Sequence, residues 1–211
     1  MNIELNTKLL KDGYFSFDLS KEIKEKLKPI ANKIKELEFT NLRHTSCGNS
    51  DSTNDSFENL EKLKEEYAPL KKWQVWYQNH GFVKYLEQNE YNFLRELFTS
   101  IIENLYPADS YDKNFFINCT MYNKMCYINN HRDGTGGNRL TNILIYLNDD
   151  YLDGMGGELI INDNIKVNPE LGKVAVLDFS QNNPMHAVTE VLDDNFRRIT
   201  IIVELARNTE K

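Results

Sequence analysis

Two histidines and an aspartate carry the first chemical signal in this chain. His131 and Asp133 lie two positions apart, and His186 follows well downstream. Two imidazoles and one carboxylate make up the 2-His-1-carboxylate facial triad, which holds Fe(II) on one face of an octahedron. The opposite face stays open for a co-substrate and dioxygen, so the chemistry expected is oxidation at a single metal. In an extended chain residues i and i+2 point to the same face, so His131 and Asp133 can reach one ion from one strand end. His186 opens a β-rich run that a closing barrel can bring alongside. Asn130 before the pair and the Gly-Thr-Gly-Gly stretch at 134–137 after it mark a strand end opening into a loop, where sites are often carried. Taken singly, His131 also fits a surface or capping histidine and His186 a half-buried core one. The surroundings must decide.

Those surroundings divide into two parts. Ile23, Leu27, Ile30, Ile34 and Leu37 recur at spacings of three and four, which predicts an amphipathic helix over 20–37 with Ser20 as its cap. Pro29 inside that pattern is expected to break or kink it into two short helices. Residues 40–56 are polar and rich in Ser, Asn and Asp, and read as a long loop, a candidate lid or disordered segment. A shorter helix is expected over 57–67. The clearest helix is 89–106, where Phe93, Leu94, Leu97, Phe98, Ile101, Ile102 and Leu105 form one broad stripe suited to packing across a sheet. Pro107 stops it.

After Pro107, short β-rich runs follow at 115–122, 140–147, 158–161, 166–167, 174–179, 187–191 and 198–205, separated by Gly, Asn and Asp. No internal repeat is visible. The expected fold is α+β: helices first, then a double-stranded β-helix, or jelly roll. Residues 1–108 are read as mainly helical support with the candidate lid, and 109–206 as the jelly-roll core, within one domain spanning 1–211.

With 211 residues the chain can bury a sizeable core, and its net charge of −7 makes tight binding to nucleic-acid phosphates an unpromising function. It has no apolar run of the roughly 18 residues needed to span a bilayer, and its first residues lack the basic start and apolar core of a secretory signal. Cys47, Cys119 and Cys126 form an odd set without a paired framework, which suggests reduced thiols and a cytoplasmic setting. No feature of the sequence sets the oligomeric state.

A run of motifs strengthens the metal reading. In order they are a strand ending in Tyr122, then His131-Arg132-Asp133, then Ile143-Leu144-Ile145-Tyr146-Leu147-Asn148. Gly156-Gly157-Glu158-Leu159 follows, then Val174-Ala175-Val176-Leu177-Asp178-Phe179, Pro184-Met185-His186-Ala187-Val188, and Arg197-Arg198-Ile199-Thr200-Ile201-Ile202-Val203. Over residues 116–205 this resembles the Fe(II)/2-oxoglutarate-dependent dioxygenases of the prolyl 4-hydroxylase-like superfamily. The N-terminal half carries no matching motif.

The resemblance implies that His131, Asp133 and His186 are both the metal ligands and the catalytic centre. It implies Fe(II), 2-oxoglutarate as co-substrate and O2, with ascorbate in a supporting role. Such an enzyme hydroxylates an unactivated C–H and releases succinate and CO2. The carboxylate of Asp133 favours hydroxylation over halogenation, since related halogenases lack it. The far carboxylate of 2-oxoglutarate needs a cation, and an arginine fork suits it. Arg198 is the choice, because it puts Thr200 on the same inward face. The Asp193-Asp194-Asn195 turn lengthens the connection from His186 and keeps Arg197 as the alternative. Tyr146 and Tyr122 match positions where the family places hydroxyls near 2-oxoglutarate, and both also fit as core aromatics. Gly156-Gly157 is read as a tight backbone approach before the next strand.

The implied substrate is a prolyl or other amino-acid residue in a protein or peptide, with a free amino acid or other small molecule as the alternative. Segments 40–56, 73–80 and 133–139 are candidates to face it. Trp73, Trp76 and Tyr77 either line a groove or form a buried aromatic strand. His44 and His80 are not expected to be ligands, since the set of three is complete without them. Two other classes fit parts of the pattern: a non-catalytic metal-binding jelly roll, and a zinc site without redox chemistry.

Overall fold

Short, mainly apolar strands in the C-terminal half, the central ones buried on both faces, and one continuous apolar stripe on a helix before them, build a two-sheet structure backed by helices. The computed structural model describes residues 11–37, 42–46, 49–53, 74–79, 82–133, 138–180 and 182–208. In chain order the strands are β1 (Tyr14–Asp18), β2 (Leu42–Ser46), β3 (Asn49–Thr53), β4 (Gln74–Asn79), β5 (Ile117–Tyr122) and β6 (Ile128–His131). They continue with β7 (Arg139–Tyr146), β8 (Leu159–Ile161), β9 (Ile165–Val167), β10 (Lys173–Asp178), β11 (His186–Val188) and β12 (Arg198–Ala206). Among the described residues the α-helices are α1 (Lys21–Lys35) and α2 (Gln88–Leu105), and a short 3-10 turn covers Phe82–Tyr85.

The larger sheet runs β1-β10-β7-β12-β5-β4-β2-β3 and the smaller β6-β11-β8-β9, with antiparallel pairing between neighbouring strands. The α+β jelly roll expected from the sequence is present. Between the sheets lie Leu144, Tyr146, Ala175, Leu177 and Phe179 of the larger sheet and its edge, against Leu159, Ile161 and Val167 of the smaller. On the outer face of the larger sheet, Ile143, Ile145, Val174, Val176, Ile199 and Ile201 pack with Leu27, Ile30 and Ile34 of α1 and Leu94, Phe98 and Ile102 of α2. Each such buried side chain contributes about 1.5–3 kcal/mol of transfer free energy. Residues 143–146 of β7 and 198–203 of β12 are therefore sorted by parity: odd positions face the helices, and even positions face the space between the sheets, where the site lies.

Several expectations are corrected. α1 is a single helix through Pro29, not two, and Ser20 caps it by accepting a hydrogen bond from Ile23 N. Pro29 removes one backbone bond, but Pro29 and Glu25 are both exposed, so water can serve the freed Glu25 carbonyl. The buried side of the helix outweighs that single loss. The stretch read as a loop over 40–56 contains the β2–β3 pair, with Leu42 opposite Thr53 and Ser46 opposite Asn49. Its sequence is polar on both faces, so it lacks the alternation that a half-buried strand shows, and backbone pairing at the sheet edge makes it a strand anyway.

The first 108 residues thus add four strands to the larger sheet besides their helices. The expected helix over 57–67 lies outside the described residues, as do Cys47, Trp73 and His80. Among the described residues, Cys119 and Cys126 are free, buried thiols, and no helix is long and apolar enough to cross a membrane.

Candidate active site

The smaller sheet brings the three metal-ligand candidates together. β6 and β11 pair so that His131 stands directly opposite His186, although 55 positions separate them in the chain. Their ring centroids are 4.3 Å apart. Asp133 follows β6 by two residues, and its Oδ1 is 3.5 Å from His131 Nε2 while its Oδ2 is 4.0 Å from His186 Nε2. One donor atom from each of the three lies within 4.8 Å of the others, a group that could hold one metal ion.

Each ring is oriented from behind. His131 Nδ1 is 2.8 Å from the Asn129 carbonyl, and His186 Nδ1 is 3.0 Å from the Pro184 carbonyl. A carbonyl only accepts, so each Nδ1 donates to it, and in the neutral ring this leaves Nε2 as the atom free to ligate a metal. Electrostatics separate the two rings. Burial works against the His131 cation, but Asp133 and the Asn129 carbonyl outweigh it and hold the pKa above the ordinary imidazole value. Burial and the neighbouring His131 hold His186 below it. Burial would raise Asp133, yet the two histidines and Arg139 keep its carboxyl below the usual range, so it remains an anion. The described clamps around the pair come from Arg132, which donates to the carbonyls of Asn182 and Asn183, and from the Asn183 amide, which donates to the Asp133 carbonyl at 2.7 Å.

A second polar cluster occupies the space between the sheets. Arg198 is 1% exposed, whereas Arg197 is exposed and donates to the Lys35 carbonyl at 2.8 Å. The Arg198 guanidinium lies between two rings, 4.5 Å from the Tyr122 centroid and 5.1 Å from that of Tyr146. Its Nε donates to the Gly157 carbonyl at 2.6 Å. Register explains the grouping: Arg198 pairs with Tyr122 on β5, and Thr200 pairs with Tyr146 on β7. Arg198 Nη2, the Tyr146 hydroxyl and Thr200 Oγ1 are all buried and make no hydrogen bond among the described residues. Buried polar groups are nearly always paired, so three unpaired atoms on neighbouring side chains mark a place for a polar guest. Burial also holds the Tyr122 phenol well above its ordinary pKa, so it stays protonated.

Some residues that shape this region were assigned no role from sequence. Asn148, 1% exposed, donates to the Pro169 and Ile199 carbonyls and accepts from Ile199 N at 2.7 Å, which fixes the start of β12 next to Arg198. Asn142 donates to Asp133 Oδ2 at 3.1 Å, and Arg139 Nη1 forms an ion pair with the same oxygen at 3.2 Å. The signal for Asn142 and Asn148 was available: each is an amide within or just after the apolar run 140–147. The tight approach read at Gly156-Gly157 has a measurable form. Both glycines have positive φ, and a Cβ on Gly156 would stand 1.9 Å from the Glu190 carbonyl oxygen, while one on Gly157 would stand 2.9 Å from Arg198 Cδ. Gly156→Ala is expected to lower stability by at least about 1–2 kcal/mol for the left-handed backbone alone, with the clash in addition. Urea denaturation checks it; a midpoint equal to that of the parent would contradict the geometry. Of the aromatic candidates, Trp76 and Tyr77 fall on β4, and His44 falls on β2.

Residues 117–203 match the family model described as 2OG-Fe(II) oxygenase superfamily. No curated protein matches the chain by sequence. Among solved structures, a prolyl 4-hydroxylase from Pseudomonas putida superposes with a TM-score of 0.60 at 13% identity, over 97% of this chain and 98% of that one. A prolyl hydroxylase from Trichoplax adhaerens, in complex with a hypoxia inducible factor oxygen degradation domain peptide fragment, gives 0.65 at 13% identity, over 96% and 87%. The viral collagen prolyl hydroxylase from Paramecium Bursaria Chlorella virus-1, as its 2OG complex, gives 0.56 at 17% identity, over 94% and 97%.

Proposed function

We propose that the chain, whose residues 117–203 match the 2OG-Fe(II) oxygenase superfamily, hydroxylates a prolyl, or other amino-acid, residue in a protein or peptide. The superfamily works with Fe(II), 2-oxoglutarate and O2, and the residues present fit them. Two imidazole Nε2 atoms and an ionised carboxylate are a donor set suited to Fe(II). The unpaired Arg198 Nη2, Tyr146 hydroxyl and Thr200 Oγ1 suit the far carboxylate of a dicarboxylic acid. The observation that carries the reading is this pairing: three convergent metal donors, and a buried arginine between the same two sheets whose guanidinium has a donor to spare.

When bound, Fe(II) with 2-oxoglutarate and O2 supplies the oxidant for C–H hydroxylation, with succinate and CO2 as co-products. The chain's own residues then orient and enclose. His131, Asp133 and His186 would hold the ion. Arg198 and Thr200 would bind the far carboxylate, with the Tyr146 hydroxyl donating to it. The Tyr122 and Tyr146 rings on either side of the guanidinium exclude water from that ion pair, which strengthens it. A peptide substrate is favoured by the company the fold keeps, since the superposed enzymes are named as prolyl hydroxylases and one is held with a peptide fragment. A free amino acid or other small molecule is the alternative substrate.

Anaerobic titration of the purified protein with Fe(II) and 2-oxoglutarate tests this. A weak visible charge-transfer band, requiring both additions, is expected from a chelate at one site. Metal binding without a band on adding 2-oxoglutarate would favour a zinc-type or non-catalytic metal protein and would leave Arg198 without its role. With the band in hand, proline-containing peptides and free amino acids are compared for stimulated succinate release. Release that answers only to free amino acids would reject the peptide assignment.

A further inference from the structure

The Asp133 carboxylate is not held symmetrically. Asn142 Nδ2 donates to Oδ2 at 3.1 Å, and Arg139 Nη1 reaches the same oxygen at 3.2 Å. Oδ1 faces His131 Nε2 at 3.5 Å. Arg139 is itself anchored from the far side, because its Nη2 bonds Glu204 Oε2 at 2.7 Å. Glu204 and Asn142 are register partners on β12 and β7, so one cross-strand pair supplies both the amide and the anchor.

Asn142 is an unlikely residue on packing grounds. It is 6% exposed and lies on the inter-sheet face of β7, two and four positions before Leu144 and Tyr146. Its Oδ1 is buried without a hydrogen-bond partner, a destabilising arrangement that a leucine of similar volume would avoid. Among the described residues this is the hydrogen bond the amide makes, so the nitrogen faces the carboxylate. A side chain whose retention harms packing, and whose described hydrogen bond is made to one oxygen of a ligand carboxylate, is placed for that carboxylate.

We propose that Asn142, with Arg139, is a positioning residue that occupies Asp133 Oδ2 and so makes Asp133 a one-oxygen ligand through Oδ1. This rests on the metal assignment made above and adds the residues that hold the ligand carboxylate in place. One-oxygen ligation leaves the open face of the ion with its full number of positions, as a chelating co-substrate and O2 together require. With the Asn142 hydrogen bond and the Arg139 ion pair removed, Oδ2 is free to swing onto the ion and take one of those positions. Asn142 and Arg139 touch neither substrate nor co-substrate in this role; they act through Asp133.

The test uses Co(II) as a spectroscopic probe on the intact chain, comparing the parent with Asn142→Leu and Arg139→Met. In the parent, Co(II) binds and gives a d–d spectrum that shifts when 2-oxoglutarate is added. In Asn142→Leu, Co(II) affinity is expected to fall by about tenfold to a hundredfold, as outer-shell losses do. The d–d band should change in position and intensity as the second carboxylate oxygen enters, and the apoprotein should melt at the same temperature or higher. A purely structural asparagine would give the opposite signs, with a lower melting temperature and an unchanged spectrum. Arg139 lies nearer the surface, and Arg139→Met is expected to reproduce the spectral change in smaller measure even if the leucine variant does not fold. Parental Co(II) affinity and spectrum in both variants would overturn the inference while leaving the metal site standing. Absence of Co(II) binding in the parent would instead sink the metal assignment, and this inference with it.

Discussion

His131→Ala and His186→Ala are each expected to reduce 2-oxoglutarate turnover by about a thousandfold or more, because a site that loses one of its three donors loses several kcal/mol of metal-dependent stabilisation. The geometry leaves no substitute among the described residues, where His131, Asp133 and His186 are the group of donors that could hold an ion. The effect should be chemical rather than conformational. The pairing of β6 with β11 is carried by backbone atoms, and the larger cluster packs on the other sheet, against the helices. Removing the His186 ring deletes one hydrogen bond to the Pro184 carbonyl and leaves a small space beside Phe179, which lies 6.3 Å from it by centroids. Circular dichroism and melting temperature should therefore stay near those of the parent while Mn(II) binding, read by electron paramagnetic resonance, is lost. Turnover at the parental rate in both variants would reject the metal assignment outright.

Arg198→Ala is the second large effect. It should raise the dissociation constant of 2-oxoglutarate about a hundredfold or more, since charge-assisted hydrogen bonds contribute about 1.5–3 kcal/mol each and an arginine fork makes two. Arg197→Ala should leave that constant within about twofold, because its guanidinium is exposed and bonds the Lys35 carbonyl on α1. Arg198→Lys is not expected to restore binding: an ammonium offers a point charge where the site is shaped for a plane between two rings. The measurement is 2-oxoglutarate binding to the Fe(II) or Mn(II) protein by calorimetry, so that loss of the co-substrate is separated from loss of the metal. Equal effects of the two alanines, or a larger one at Arg197, would remove Arg198 from the site.

The comparison of these neighbours shows how far one strand can be read. Arg197 and Arg198 differ by a single position, and period-two alternation with Thr200 was enough to choose which one turns between the sheets. The same logic found the apolar strands β5, β7, β10 and β12 and the stripe on α2, because each buries a face whose pattern is written in consecutive residues. It failed at β2 and β3, where neither face is apolar, and at Pro29, where a local rule met a helix already held by Leu27, Ile30 and Ile34.

By itself the sequence determined the kinds of donor available, the faces of the central strands and the presence of a buried cation, all properties of residues near one another in the chain. It did not determine that His186 would stand opposite His131, that the Asn142 amide would take one oxygen of Asp133, or that Gly157 would have to lack a side chain for Arg198 to pass. Those contacts join residues roughly ten to more than fifty positions apart, and their partners are set by strand register and sheet closure. Register is a collective outcome of burying both sheets at once, so only the tertiary structure decided it.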